Sequence, residues 1–268
     1  MKSKIAITVD EHLLSRIDAQ RGLKSRSGYI EALLREGATS RGIRNAVILA
    51  GGEGTRLRPI TYEIPKPLVP VNGKAIITRQ IEMLQRAGID NIIVATHYKA
   101  DKVKAAVGKG VTFVDESKPM GTGGALLGAK DHLSDRFLVM NGDLLFKPLP
   151  NIPGMDAFHI ERKSFASFLV TMRPDVSRFG RITLADDGKI TDFTEKPPEG
   201  GAGLISVGMY IFEPGIFDYI KGKASLEHDV FPKIQKEHPT FGYFYDGKMF
   251  DVGTFEEYER AIKEWTVE

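Results

Sequence analysis

Ala46-Val-Ile-Leu-Ala50 is an unbroken apolar run that passes straight into Gly51-Gly-Glu-Gly-Thr-Arg56. A short run without alternation suits a strand buried on both faces, the kind found where helices cover a mostly parallel sheet. The glycine-rich loop would then sit at the strand's carboxyl end, where open α/β sheets bind ligands. Later segments keep the alternation. Residues 76–87, 101–107 and 122–133 read as helices, and 91–96, 111–114 and 137–140 as strands. Past residue 163 the chain turns β-rich, over 167–172, 181–184 and 206–212 with an Asp187-Gly188 turn, and helices return near Asp229 and Phe255. The pattern predicts an α/β fold, a Rossmann-like mostly parallel mixed sheet, over residues 45–268.

Composition narrows the chemistry. With 42% hydrophobic and 27% charged residues, the 268-residue chain can bury a real core, so a disordered or collagen-like chain is excluded. It has no cysteine, which removes a disulfide scaffold, a thiolate metal site and a cysteine nucleophile, and is compatible with a reducing cytoplasm. The N-terminus is charged too early for a signal sequence and no apolar run reaches membrane-spanning length, so we expect a cytoplasmic protein without a membrane partner. The near-neutral total hides a division. Residues 1–44 hold nine Lys/Arg against five Asp/Glu, leaving 28 against 30 in the remainder.

That basic head is built differently from the body. Ile5, Ile7 and Val9 alternate with Lys4, Ala6 and Thr8 as in a short strand with one buried face. A helix is predicted from about Glu11 to Arg21, with Asp10 as N-cap and Gly22 closing it. A second, capped by Ser25 or Ser27, carries Tyr29, Ile30, Leu33 and Leu34 and ends at Gly37. One strand and two short helices cannot close a core alone, so this unit calls for a partner chain. The pattern resembles the ribbon-helix-helix family, in Ile5-Ala-Ile-Thr-Val-Asp10 and Ser25-Arg-Ser-Gly-Tyr-Ile-Glu-Ala-Leu-Leu-Arg35. The resemblance implies a homodimer or higher oligomer, with Lys4, Ala6 and Thr8 facing the DNA major groove if the family's DNA binding is kept. Ala6 offers a base edge no hydrogen bond, and Gly28 stands where a helix former is more usual. A DNA-binding module and a plain dimerisation clasp both remain open. The predicted domains are 1–40, a linker over 41–44, and 45–268.

In the body, glycines let the backbone approach a phosphate chain, and Arg56 adds a fork of donors. The loop matches neither a Walker motif nor a dinucleotide fingerprint, and alone it reads equally as a tight strand-to-helix turn. It is followed by Pro65-Lys66-Pro67-Leu68, Gly121-Thr-Gly-Gly-Ala-Leu126, Asn141-Gly-Asp143, Phe193-Thr-Glu-Lys-Pro197, Val207-Gly-Met-Tyr-Ile-Phe212 and Phe250-Asp-Val-Gly-Thr254. Together these closely resemble the sugar-1-phosphate nucleotidylyltransferases, over essentially all of residues 45–265.

The resemblance implies an enzyme in which a sugar-1-phosphate oxygen attacks the α-phosphorus of a nucleoside triphosphate and expels pyrophosphate. Two polyanions must meet, so charge has to be neutralised and the attacking oxygen held in line. It further implies Mg2+ as cofactor on Asp143 and Asp251, and Arg56 and Lys66 as the catalytic cations on the triphosphate. The nucleoside would lie on Ala50, Gly51, Gly52, Gly54, Thr55, Gly121, Thr122 and Gly123. The sugar phosphate would meet Gly142, Glu195, Lys196, Ser206 and Gly208. Taken singly, Asp143 reads as a turn residue, Asp251 as a helix-capping acid, and Glu195 and Lys196 as surface charge.

Departures from the family pattern bear on the sugar. Ser206-Val207-Gly208 stands where Asn-Ala-Gly is usual, so an amide that would read a sugar hydroxyl is absent; Ala75 replaces a common proline, and Met120 a common leucine. Ser225-Leu-Glu-His-Asp-Val-Phe-Pro232 and the ending after Gly242 look most like guanylyltransferases acting on mannose-1-phosphate or a related sugar. UTP or dTTP with glucose-1-phosphate is the near alternative. A DNA-binding regulator that uses the body as a nucleotide-sugar sensor is the alternative from another class.

Overall fold

Asn45–Leu49 forms the first body strand, β1, and its central place in a sheet explains why its sequence carries no polar alternation. The computed structural model describes residues 6, 8–22, 24–31 and 42–265. By internal contacts the chain divides into two compact units, Met1–Arg41 and Gly42–Glu268.

In the first unit, α1 (Glu11–Gln20) starts where Asp10 accepts from the N–H groups of His12 and Leu13 at 2.9 and 3.1 Å. The second helix, α2, is described over 26–31, and its start is capped by Ser25 Oγ, which accepts from the Gly28 N–H at 3.1 Å. Asp18 ties the two together. It receives Arg21 Nε and Arg26 Nε, each at 2.8 Å, and the Arg26 bond foremost holds its carboxyl down to about 2. Of the expected strand, Lys4, Ile5 and Ile7 lie outside the described residues, as do Leu33, Leu34 and Gly37 of the second helix. Ala6 and Thr8 are exposed.

The body sheet follows the order β10-β9-β11-β6-β1-β4-β5, with β8 pairing β11 and β12. These are β4 (Asn91–Thr96), β5 (Thr112–Asp115), β6 (Phe137–Asn141), β8 (Ala166–Arg173), β9 (Gly180–Leu184), β10 (Ile190–Glu195), β11 (Gly203–Phe212) and β12 (Thr240–Phe244). Strands β6, β1, β4 and β5 run parallel, whereas β11 runs antiparallel to β6, β8 and β9. The chain leaves β1 towards β4 and β5, then returns to β6 on the opposite side of β1. This reversal is the switch point at which α/β sheets open a crevice.

Both faces of β1 are covered. Ala46 and Ile48 join one core with Met83 and Leu84 of α4 (Ile76–Arg86), and Val47 joins another with Leu126 of α6 (Gly121–Gly128). Helix α4 buries Ile76, Ile77, Gln80, Met83 and Leu84, the stripe of a helix lying on a sheet. A third cluster, with Leu57, Leu145, Phe250 and Val252, lies under the turn that carries Arg56. It joins that turn to the ribbon of β7 (Leu144–Lys147) and β13 (Lys248–Asp251). No helix among the described residues is long and apolar enough to cross a membrane.

Candidate active site

The carboxyl ends of β1 and β6 meet at Gly142, whose N–H donates to Leu49 O at 2.9 Å. A Cβ there would stand 2.7 Å from that same oxygen, so only glycine lets the two strand ends close together. The turn is held from below by Gln80, buried on α4, whose Nε2 donates to Asn141 O at 2.9 Å and Leu144 O at 3.0 Å. Asp143 is thus carried on a turn fixed from both sides.

Two cavities open on this turn. The first, about 340 Å3, is lined by Ala50, Gly51, Gly52, Glu116, Gly121 and Lys66 among others. The second, about 330 Å3, is lined by Arg56, Glu195, Lys196, Ser206, Gly208 and Asp251 among others. Thr122, Asn141 and Asp143 line both. Gly142, expected on the sugar side, lies in the first cavity, and Arg56, expected on the triphosphate, lies in the second. Gly54, Thr55 and Gly123 line neither. Gly54 O accepts from Thr61 Oγ1 at 2.8 Å, and the Gly123 N–H is spent on Ala224 O at 2.8 Å.

Charge gathers where the cavities meet. Lys66 Nζ is ion-paired with Asp143 Oδ2, and both side chains are largely buried. Burial opposes ionisation of Asp143, but the Lys66 ammonium overrides it and holds the carboxyl below its ordinary value. Asp251 responds the other way. Burial and then the Asp143 charge push it up to about 6, against the pull of Lys66, Arg56 and Arg178. The helix that follows is capped by Thr254 Oγ1, which accepts from Glu257 N, so Asp251 is no capping acid. Asp251 Oδ1 is buried and has no hydrogen-bond partner among the described residues. A buried carboxylate oxygen without a donor is costly, and a hard cation shared with Asp143 would satisfy it.

In the second cavity Glu195 Oε1 pairs with Lys196 Nζ at 3.0 Å, with the carboxylate largely buried and the ammonium exposed. Ser206 Oγ donates to Tyr210 Oη at 3.1 Å and accepts from the Gly208 N–H at 3.4 Å, where the register of β11 shifts. The hydroxyl that stands where an amide is usual is therefore engaged within its own strand.

Three lining residues of the acidic and basic types, Glu116, Glu227 and Arg178, escaped sequence reasoning. Glu116 lies just past β5, half-buried, accepting from Met120 N at 3.1 Å, and burial raises its pKa. Its place after a strand end was the available signal. Glu227 lies within a short π-helical turn, Leu226–Val230, inside a segment noted for its resemblance without a role. Arg178 comes from a loop between strands and had no signal.

A model of the nucleotidyl transferase family matches residues 45–268. A probable mannose-1-phosphate guanylyltransferase of Arabidopsis thaliana is 34% identical over 235 residues, 81% of this chain and 64% of its own length. The catalytic subunit beta of a Drosophila melanogaster mannose-1-phosphate guanylyltransferase is 36% identical over 223 residues, 78% of this chain and 59% of its own. The chain thus spans about six-tenths of the length of these curated relatives. Among solved structures, HddC from Yersinia pseudotuberculosis complexed with GMP-PN superposes with a TM-score of 0.71 at 31% identity, covering 84% of this chain and all of that one. A putative glucose-1-phosphate thymidylyltransferase from Bacillus anthracis gives 0.74 at 26% identity, covering 84% of this chain and 97% of that one.

Proposed function

The chain belongs to the nucleotidyl transferase family, and on that premise we propose that residues 45–268 transfer a nucleotidyl group from a nucleoside triphosphate to a sugar-1-phosphate. The observation that carries this reading is the pair of cavities meeting at Asp143 and Lys66. A donor in the first and an acceptor in the second would bring the two phosphates together over this buried ion pair. The acceptor's phosphate oxygen forms the new bond to the α-phosphorus as the bond to the pyrophosphate oxygen breaks.

Lys66, fixed by Asp143, is positioned to neutralise the α-phosphate, and Arg56 and Lys196 to hold phosphate charge on the acceptor side. Asp143 and Asp251 fit Mg2+ in donor type, and the unpartnered Asp251 Oδ1 supports it. Bound there, the ion would supply charge neutralisation on the phosphates. The residues themselves supply orientation. Val252 N donates to Asp143 O at 2.9 Å and keeps the two acids in one register.

GTP is the donor we favour. Glu116 places a carboxylate in the first cavity, and Gly51 makes room for it, since a Cβ on Gly51 would stand 2.8 Å from Glu116 Oε2. A carboxylate accepts the adjacent N1–H and N2–H of guanine, whereas the single N3–H of uracil or thymine is flanked by carbonyl oxygens that it would repel. The names of the relatives support the same base and suggest mannose-1-phosphate or a related sugar as acceptor. The test is pyrophosphate release across a matrix of nucleoside triphosphates and sugar-1-phosphates with Mg2+. Release with GTP and a manno-configured acceptor is expected; release with no pair would sink the proposal, and preference for UTP or dTTP with glucose-1-phosphate would move it to the alternative.

For residues 1–40 we propose a pairing module; the linker expected over 41–44 is cut short, because Ile43 is buried in the body core and its N–H donates to Asp156 Oδ2 at 2.9 Å. Leu13 is 47% exposed, and Ile17 is the only buried residue among the described residues of this unit, which supports pairing. Light scattering of the full chain against one beginning at Gly42, which keeps the buried Ile43, tests this, with a monomer expected after truncation. A mobility shift over a salt series decides whether the module also holds DNA.

A further inference from the structure

Thr122 belongs to both cavities, and its hydroxyl is the link between them. Thr122 Oγ1 donates to Glu227 Oε2 at 2.6 Å and accepts from the Leu226 N–H at 2.8 Å. Ser225 Oγ donates to the same Glu227 Oε2 at 2.7 Å. The seam continues through the backbone, where Gly123 and Gly124 donate to Ala224 O at 2.8 and 3.2 Å, and Ala224 donates to Met120 O at 3.0 Å. Two segments about a hundred residues apart are thereby stitched together, one opening α6 in the first cavity and the other forming the π-helical turn Leu226–Val230 in the second. A π-helical turn is uncommon and often occurs at functional sites, because its extra residue re-aims a side chain.

The two hydroxyl hydrogens both fall on Oε2. Glu227 Oε1 has no hydrogen-bond partner among the described residues, and Glu227 lines the second cavity beside His228 and Ser225. An ionised carboxylate with one oxygen anchored and the other unspent is an acceptor-only group, suited to the hydroxyl hydrogens of a sugar.

We propose that Glu227 is a specificity-determining residue that reads the acceptor sugar's hydroxyls, and that its bond to Thr122 couples acceptor binding to the nucleotide loop. The proposal rests on the nucleotidylyl-transfer reading and deepens it by assigning the acceptor's recognition. With Oε2 anchored, the geometry reads hydroxyl configuration on one side of the sugar ring. A nucleotide that settles the segment at Gly121–Thr122 also settles Glu227, so the acceptor should bind tighter to the nucleotide-loaded protein.

Glu227→Gln is the informative variant. The glutamine carbonyl can keep both hydroxyl donors, which turns its NH2 to the cavity and replaces an acceptor by a donor. In the full-length protein with Mg2+, mannose-1-phosphate and glucose-1-phosphate differ only at C2 and serve as probes. We expect E227Q to raise the KM of the preferred sugar by about tenfold or more, to narrow the preference between the two, and to change the KM for the triphosphate by about threefold or less. Thr122→Val should leave the sugar preference in place. It should reduce the gain in sugar-1-phosphate affinity that a non-hydrolysable triphosphate analogue confers, measured by calorimetry. An unchanged sugar preference in E227Q, or equal losses for both substrates with a lowered Tm, would make the cluster a structural seam and overturn the proposal. If the wild-type protein turns over no pair, the transfer reading fails. Calorimetry then still judges Glu227: sugar-1-phosphate binding that E227Q weakens supports it, and binding that is absent or insensitive to E227Q overturns it.

Discussion

The N–H of Val252 donates to the carbonyl oxygen of Asp143 at 2.9 Å, and this bond brings together two acids that lie 108 residues apart. The arrangement is unfavourable without a cation. Asp251 is pushed up to about 6 by burial and by Asp143, and its Oδ1 has no donor among the described residues. Asp251→Asn should therefore raise the stability of the metal-free protein by about 1–2 kcal/mol, because it removes a buried, unpaired charge. With Mg2+ held as proposed, the wild type should gain in Tm when the ion is added, and the variant should lose that gain and nearly all turnover. Thermal melts with and without Mg2+ check both, and a destabilised variant that still responds to Mg2+ would refute the assignment of Asp251 as a metal ligand.

Removing Lys66 should act in the opposite direction on stability. Lys66→Met leaves the Asp143 carboxylate without the ammonium that offsets its burial, so the metal-free protein should lose about 2–4 kcal/mol. Adding Asp143→Asn to that variant should restore most of the loss, a coupling that urea denaturation of the four proteins measures directly. On the proposed role of its charge during bond transfer, turnover of Lys66→Met should drop about 100-fold or more even when Mg2+ and both substrates saturate.

Glu116→Gln tests the base. One oxygen of Glu116 already accepts from Met120 N, so the glutamine carbonyl should keep that bond and turn its NH2 towards the base. A donor facing guanine N1–H and N2–H is repelled, whereas the same donor suits the O4 of uracil or thymine. The kcat/KM for GTP should fall about 10–100-fold while that for UTP or dTTP rises or holds. Equal losses with every base would remove Glu116 from base recognition.

How much of this could be read beforehand follows from how local each feature is. Strand β1 was legible because a strand buried on both faces reads as a continuous apolar run, and Gly142 because a close approach of two strand ends leaves no room for a Cβ. Asp10 was legible as an N-cap because capping is decided within three residues. Strands β7 and β13 were not, since each has only four residues and they become a ribbon through a pairing across about a hundred residues. Helix α7 (Ile152–Glu161) was missed for another reason. It begins Ile-Pro-Gly and buries Asp156 and His159 beside Ile152 and Met155, so the amphipathic pattern that marks α4 is absent. Glu116 and Glu227 carry no motif of their own, and only the folded crevice shows which oxygen of each is spent.

The buried residue His159 gives a last prediction, independent of the crevice. Its Nδ1 lies 2.8 Å from Ser167 Oγ and its Nε2 3.2 Å from Glu213 Oε1, with Asp156 and Arg136 also near. Burial is the largest influence and lowers its pKa; Glu213 and Asp156 pull upward and Arg136 adds a downward push, and the balance is lowered. Well above the unfolded value of 6.5 the ring is neutral in both states and contributes no pH dependence. As pH falls below that value, the unfolded chain takes up the proton first, so stability declines until the folded-state pKa is reached and then levels off. Other carboxylates titrate in the same range, so the observable is the difference between wild type and His159→Gln in urea denaturation from about pH 8 to pH 5. The wild type should lose more stability than the variant on acidification over that window, by up to about 1.4 kcal/mol per pH unit. Parallel curves would show that His159 keeps its ordinary affinity for the proton in the fold.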